Sequence, residues 1–505
     1  MSSFQRFLTN ISWNVFGKIC VQLILFAVSI LLTRYLGRER LGVYATLLVI
    51  PAFVRLVNQF GLETLINKKL PELQVRDPSG KQGRFLVRLL IRTRLLSSLA
   101  FCGILYIALP FYLDWVQHPE LLKYRPALIF YFLAITVNSL LSTLLMTLLR
   151  YKLVAALETL SALLNLILLG VFIFLDAGIA GVLYAYILST FVNIFVSAFM
   201  VRKEVVGPAA PPPWGEMKKL AWVSYWITLF SFGLMVQSDV VMMNYFQVDN
   251  VRVGYYHLAT GLGAMLAFVL TGVGPLGLSI LSSTHARESR EGLSRVWCEI
   301  VGFAAFLTTP IFVFAFFNAE PLIAFVYGKP FAGAAAALSF YVVFLGAAAA
   351  LGTDFTVSTL FILQKRKTAL QSNIEGSVIN VLLNLVLIPR YGELGAVAAT
   401  GSVMVYMVIR QLYAIQKEIT IRPVFRTLSR CLFFSLAAVL PAELVARVVA
   451  DHILLNAGVY LVSFFFLLVW IKPFTEDHRR LVAGIHPGLD PWFRRFAVGS
   501  GSEAR

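Results

Sequence analysis

The sequence predicts an all-α polytopic membrane protein of about 14 transmembrane helices, two parallel six-helix bundles related by a pseudo-two-fold axis along the membrane normal plus two C-terminal helices. Three observations predict it. The 505-residue chain is 59% hydrophobic and only 14% charged, with a mean hydropathy of +0.79, where a soluble chain is about 45–50% apolar. The apolar residues come in stretches of roughly 20, the length that crosses a bilayer core at 1.5 Å rise per residue. Lysine and arginine are abundant in every second loop and sparse in the others.

Taken in order, the predicted spans are 11–33, 41–60, 95–113, 127–149, 153–175 and 178–201, then 220–246, 254–283, 296–317, 332–363, 368–389 and 394–415, and last 425–449 and 452–471. Counting Arg426, Arg430 and Arg447, towards the ends of span 425–449, with the loops they adjoin, 31 of the 43 Lys and Arg fall on the side that carries both termini and nine on the other, and only Lys18, Arg55 and Arg410 remain within spans. An odd miscount would scramble that split, so both termini are expected in the cytoplasm. The net charge of +17 is then a loop bias. No basic run with interleaved aromatics points to nucleic acid. The first apolar run has no small-residue cleavage site after it and is read as a retained span. The loops on the far side are too short for an extracytoplasmic domain or for the catalytic cluster of a glycan ligase or polymerase, so the chain is read as a non-enzyme.

Two six-span units emerge from an internal repeat. Leu163–Leu169 reads LLNLILL and Leu382–Ile388 reads LLNLVLI. Each is followed by a G-x-x-G, at Gly178/Gly181 and Gly392/Gly395, and each half opens on a glycine–aromatic sequence, Gly42-Val43-Tyr44 and Gly254-Tyr255-Tyr256. Three anchors in one order at nearly one offset define a repeat. Six spans is an even number, so both units enter from the same side and are parallel. The expected organisation is an N-terminal bundle at 1–203, a cytoplasmic proline-rich linker at 204–219 (EVVGPAAPPPW at its core), a second bundle at 220–418, and helices 13–14 with a cytoplasmic tail at 419–505. Such a pair of bundles suits alternating access by rocking.

Chemistry-bearing motifs are few. Cys20, Cys102, Cys298 and Cys431 are isolated, and there is no CxxC, no HExxH and no GxxxxGK[ST]. No cofactor or metal is expected.

The stretch TRYLGRERLGVYATL (Thr33–Leu47) resembles the first-loop signature of polysaccharide biosynthesis flippases, the Wzx-type members of the MOP exporter superfamily. NQFGLETLINKKLPEL (Asn58–Leu73), SDVVMMNYF with VGYYHLA, AEPLIAFVYGKPFAGAAAAL (Ala319–Leu338) and LNLVLIPRYGELGAVAAT (Leu383–Thr400) are similar to successive later segments of the same proteins. The resemblance runs over nearly the whole chain. It implies a plasma (inner) membrane transporter that carries undecaprenyl-pyrophosphate-linked oligosaccharide, an O-antigen, capsule or exopolysaccharide unit, from the inner to the outer leaflet. Its partners would be membrane lipids, the polyprenyl-pyrophosphate-linked glycan and neighbouring glycan polymerase or glycosyltransferase, not nucleic acid. A lipid II flippase or a cation or drug antiporter of the same superfamily is the alternative.

Charges inside hydrocarbon are costly and mark function by default. Lys18, Arg55 and Arg410 fall in the cytoplasmic halves of spans 1, 2 and 12, where a cationic patch would gather a pyrophosphate headgroup; they are the candidate substrate-binding residues. Glu158, Glu375 and Asp354 are the carboxylates in reach as charge partners. Asp239 is the clear interior charge of an outer half, in FGLMVQSDVVMMNYF. It either lines the cavity and binds a coupling ion, H⁺ or Na⁺, or pairs with Arg34 as a gate. Glu443 and Arg447, four apart in span 13, are expected to satisfy each other. Gly272, Gly274, Pro275 and Gly277 interrupt span 8, Pro51 interrupts span 2, and the tail segment LDPWFRRF (Leu489–Phe496) is a candidate membrane-surface helix.

Overall fold

The computed structural model describes residues 3–212, 215–230, 232–268, 281–282, 284–285, 290–448, 452–471 and 491. The interrupted half of span 8 and nearly all of LDPWFRRF lie outside them. Among the described residues there are helices and no strands. That is the one open architecture in which each segment satisfies its own backbone polar groups inside a bilayer. Among the described residues ten helices are long and apolar enough to cross a membrane, and Ile453–Val469 is a shorter apolar one.

The first helix, α1 (Ser3–Val57), holds two of the predicted spans. Its apolar part runs 41 residues, about 60 Å at the α-helical rise and so twice the hydrocarbon thickness. The two crossings meet at Gly37, whose φ of 72° and ψ of 178° break the helix. α2 (Leu62–Arg76) follows a left-handed Phe60–Gly61 turn. It buries Leu62, Leu65, Ile66, Leu70 and Leu73 at helical spacing while Lys68 is exposed. The sequence reading took this stretch as loop. Its amphipathic stripe, too polar to be a span, makes it a separate helix. α3 (Lys81–Trp115) begins well before the predicted span at 95. Arg94, assigned to a loop from its charge, is therefore inside the helix and 1% exposed.

α4 (Arg125–Thr147), α5 (Tyr151–Phe174) and α6 (Gly178–Val205) complete the six predicted N-terminal crossings. The linker after α6 does not hang free. Arg84 donates to the Pro208 carbonyl at 2.9 Å, Arg88 donates to the carbonyls of Val205 and Gly207, and Ala210 N–H bonds to the Lys81 carbonyl. Predicted span 7 consists of α7 (Gly215–Leu229) and α8 (Phe232–Tyr245), and α9 starts span 8 at Asn250–Ala267.

The chain divides into two compact units, 1–257 with 384–393, and 258–383 with 394–505. In the first, α2, α3, α4, α5 and α6 share a core around Leu65, Leu86, Leu144 and Leu157. Here too the glycine–aromatic anchors of the two repeats touch. A Cβ at Gly42 would lie 1.7 Å from the Asn250 carbonyl oxygen, and one at Gly254 3.1 Å from the Arg38 carbonyl oxygen. α1 and the start of α9 are thus in backbone contact. The G-x-x-G anchors also correspond, with Gly178 at φ +59° and Gly392 at φ +61°.

The second unit contains α10 (Arg290–Phe317), the short α11 (Ala319–Val326), and predicted span 10, which Gly352 splits into α12 (Ala335–Ala350) and α13 (Thr353–Ile362). α14 (Arg366–Tyr391) and α15 (Glu393–Ile415) follow, the end of α14 being counted with the first unit. α16 (Arg422–Val448) and α17 (Ile453–Ile471) pack on α10 through Val313, Phe434, Tyr460 and Phe464. On α16 the expected Glu443–Arg447 pair forms at 3.8 Å. Glu418, between α15 and α16, takes Lys365 at 2.7 Å and Arg290 at 2.9 Å.

Two outcomes follow from this packing. Gly42→Ala forces α1 off α9 and destabilises the protein by about 3 kcal/mol or more. Gly103→Ala, where nothing lies within 4 Å, is neutral or stabilises the helix by about 0.5–1 kcal/mol; thermal unfolding of the two purified variants checks the contrast. The Lys365 ammonium, with Arg290 behind it, holds the Glu418 carboxyl below its ordinary value of 4.5. The tie therefore contributes fully above that value and is lost as pH falls through the depressed one. Hydrogen exchange at residues 416–421, corrected for intrinsic rate, rises in that acid window in the wild type, and Glu418→Gln removes the step.

Candidate functional site

The most deeply buried interior charge is Asp239 on α8, 0% exposed. Tyr256 Oη on α9 donates to its Oδ2 at 2.6 Å, and Asn384 Nδ2 on α14 donates to its Oδ1 at 2.6 Å. Tyr256 is 1% and Asn384 0% exposed. A carboxylate in such a setting needs a donor on each oxygen, because leaving it undonated costs its full desolvation penalty. The surroundings hold α8 in register. Thr46 Oγ1 of α1 donates to Asn244 Oδ1 at 3.0 Å, the rings of Trp115 and Tyr245 stack at 4.7 Å, and Gln247 Nε2 donates to the Val116 carbonyl at 3.0 Å. Both donors to Asp239 sit in the repeat anchors, Tyr256 in Gly-Tyr-Tyr and Asn384 in LLNL. Arg34, the gate partner considered from sequence, is exposed on α1.

The candidate cations have different surroundings. Gly17 meets Ala155 so closely that an added Cβ would lie 2.4 Å away. At this contact Lys18 lies within electrostatic reach of Glu158, one turn further along α5. Arg410 Nε lies 3.4 Å from Glu375 Oε2, which also accepts from Tyr406 Oη at 3.0 Å. These two cations thus face carboxylates. Arg55, on α1 one turn after Pro51, is partly exposed, and among the described residues no carboxylate pairs with it. Its charge acts instead on the hydroxyls of Tyr131 (α4) and Tyr186 (α6), whose rings pack 4.8 Å apart. Tyr44 extends this wall towards His257, edge-on at 6.2 Å. Asp354 stands exposed in the first turn of α13.

One network escaped the sequence reading. Arg94 of α3 donates to Glu63 of α2 and, at 2.6 Å, to the Asn58 carbonyl, while Asn58 Nδ2 donates to Ser98 Oγ at 3.1 Å. It ties α1, α2 and α3 behind Arg55. Glu63 was readable in NQFGLETLIN as an acid beside a glycine turn, but its partner had been assigned to a loop.

A sequence model for the polysaccharide biosynthesis protein family matches residues 31–336, more than half the chain. The chain belongs to that family. No curated protein matches it by sequence. Among solved structures, the lipid II flippase MurJ in an inward closed conformation is similar at TM-score 0.71 and 15% identity, covering 90% of this chain and 97% of MurJ. An inward-facing MATE multidrug resistance transporter of the MOP superfamily is similar at 0.66 and 17%, covering 81% and 96%. A MOP superfamily transporter from Pyrococcus furiosus is similar at 0.58 and 15%, covering 81% and 95%. At these identities the likeness is one of fold. The protein is a multi-pass membrane protein with the MOP transporter fold.

Removing either donor takes one hydrogen bond from a buried oxygen of Asp239. Asn384→Leu and Tyr256→Phe each destabilise by about 1–3 kcal/mol. Adding Asp239→Asn to Asn384→Leu costs less than the sum, because the two residues share one interaction. Unfolding midpoints of Asn384→Leu, Asp239→Asn and the double variant in detergent, against wild type, measure the coupling, and full additivity would mean that the contact contributes nothing.

Proposed function

We propose that this chain carries polyprenyl-pyrophosphate-linked oligosaccharide from the inner to the outer leaflet of the plasma membrane. Transport proceeds by alternating access of the bundles at 1–203 and 220–418, with both termini in the cytoplasm. The observation that carries this reading is Arg55. It is a cation inside a membrane-crossing helix, within electrostatic reach of the Tyr131 and Tyr186 hydroxyls, and among the described residues no carboxylate pairs with it. A guanidinium kept available in this way suits a pyrophosphate, whose oxygens it can take in bidentate fashion. Tyrosine faces and hydroxyls beside it suit the sugar that follows. Family membership in polysaccharide biosynthesis supports a glycan cargo, and the fold shared with a lipid II flippase supports a lipid-linked one. Lys18 and Arg410, each facing a carboxylate, contribute less to anion binding than Arg55 does.

Asp239 couples the cycle to an ion. Its oxygens accept from the neutral donors Tyr256 and Asn384, so a proton or Na⁺ that neutralises the carboxylate changes the strength of both bonds together. Occupancy then biases one conformation over another, which is all that coupling requires.

The test is the leaflet location of the lipid-linked oligosaccharide in cells lacking the gene, complemented with wild type or variants at matched protein level. Wild type clears the cytoplasmic leaflet. Arg55→Ala leaves the intermediate there, with transport down at least about tenfold, as expected for losing a charge-assisted anion contact. Asp239→Asn binds the intermediate but does not clear it. Arrival of the intermediate in the outer leaflet without this protein, with no second flippase present, would refute the substrate assignment.

A further inference from the structure

Far along the chain from Arg55 and Asp239, the second unit carries a cationic cleft for which the transport reading has no role. It measures about 540 Å³ and lies between the start of α10 and the start of α16, with the 418–420 corner closing one side. Arg290, Arg295, Arg426 and Arg430 line it, together with the carboxylates Glu291, Glu299 and Glu418, so its arginines outnumber its acids by one. Arg290 is engaged by Glu418. Among the described residues Arg295, Arg426 and Arg430 form no ion pair.

The arrangement on α16 is unfavourable as it stands. Arg422, Arg426 and Arg430 follow at i, i+4 and i+8, so three like charges share one stripe. They occupy the N-terminal half of the helix, where the macrodipole opposes cations, and no acidic residue occupies the first turn. Among the described residues no acid pairs with Arg426 or Arg430, so an anion arriving between them relieves both the repulsion between neighbours and that with the dipole.

We propose that this cleft binds the phosphate of an anionic phospholipid headgroup. The membrane source follows from the cleft's position. Arg430 and Cys298 line it from within segments apolar enough to span a bilayer. On α16 the adjoining Phe425, Leu432 and Phe433 are 47%, 47% and 64% exposed, an apolar flank suited to acyl chains. Basic pockets between membrane helices recognise headgroups in this way. The Ser294 hydroxyl is already spent on the Thr420 carbonyl, so recognition rests on the arginines.

The full-length protein purified in neutral detergent is titrated with phosphatidylglycerol, phosphatidylcholine or inorganic pyrophosphate while its thermal unfolding midpoint is followed. Phosphatidylglycerol raises the midpoint saturably and phosphatidylcholine does not, while any rise with pyrophosphate, which Arg55 can take, is the same in wild type and in Arg426→Gln with Arg430→Gln. Arg426→Gln with Arg430→Gln shifts the half-effect to about tenfold more lipid, and its lipid-free midpoint is unchanged or higher because the repulsion is gone. Arg447→Gln, at the far end of α16, leaves the titration unchanged. An equal effect of phosphatidylcholine, or an unaltered titration in the double variant, overturns the site. A pyrophosphate effect equal to that of phosphatidylglycerol and lost in the double variant overturns the lipid source in favour of a soluble anion. Should the double variant fail to fold, Arg426→Gln alone carries the same comparison.

Discussion

A charge inside hydrocarbon must be answered by another group, and most of this chain's interior can be read as answers. Arg94 is met by Glu63 and a carbonyl, Arg410 by Glu375, Lys18 by Glu158, and Asp239 by Tyr256 and Asn384. Each answer joins different helices, so the polar groups act as fasteners between surfaces that in a membrane gain little from hydrophobic attraction. Small residues complete the work. Gly17 against Ala155 and Gly42 against Asn250 let backbones come close enough for those groups to meet. Arg55 stands apart from this pattern, because among the described residues no carboxylate pairs with it.

The sequence made the membrane architecture plain because hydropathy and the loop charges report the same physics from two sides. It was weaker where a segment was neither fully apolar nor fully polar. α2 carries Lys68, Lys69 and Pro71 on an otherwise helical stripe, and these concealed it. The early start of α3 misplaced Arg94, because a charged residue was assumed to lie in a loop. Burial depends on the facing helix, and Glu63 on α2 was the missing fact.

The buried constellation shows a different limit. Asp239 stood out at once as a lone acid in an apolar run. Asn384 and Tyr256 were both in view, but as repeat anchors. Matching a repeat finds equivalent positions; it does not say that two non-equivalent anchors converge on a third residue. The asymmetry is visible in burial, where Asn384 is 0% exposed and its repeat counterpart Asn165 is 7% exposed.

The two G-x-x-G corners differ in another way. At the first, Tyr35 Oη donates to Asp176 Oδ1 at 2.9 Å and accepts from Gly178 N–H at 2.8 Å, a latch with one charged member. At the second, Arg252 bonds to Glu393 and, at 2.8 Å, to the Tyr391 carbonyl, a latch made of opposite charges with Arg252 45% exposed. Dissolved ions weaken the second far more than the first. Two corners that share a backbone conformation thus respond differently to salt, and the ionic strength of the surrounding fluid sets which of them yields first.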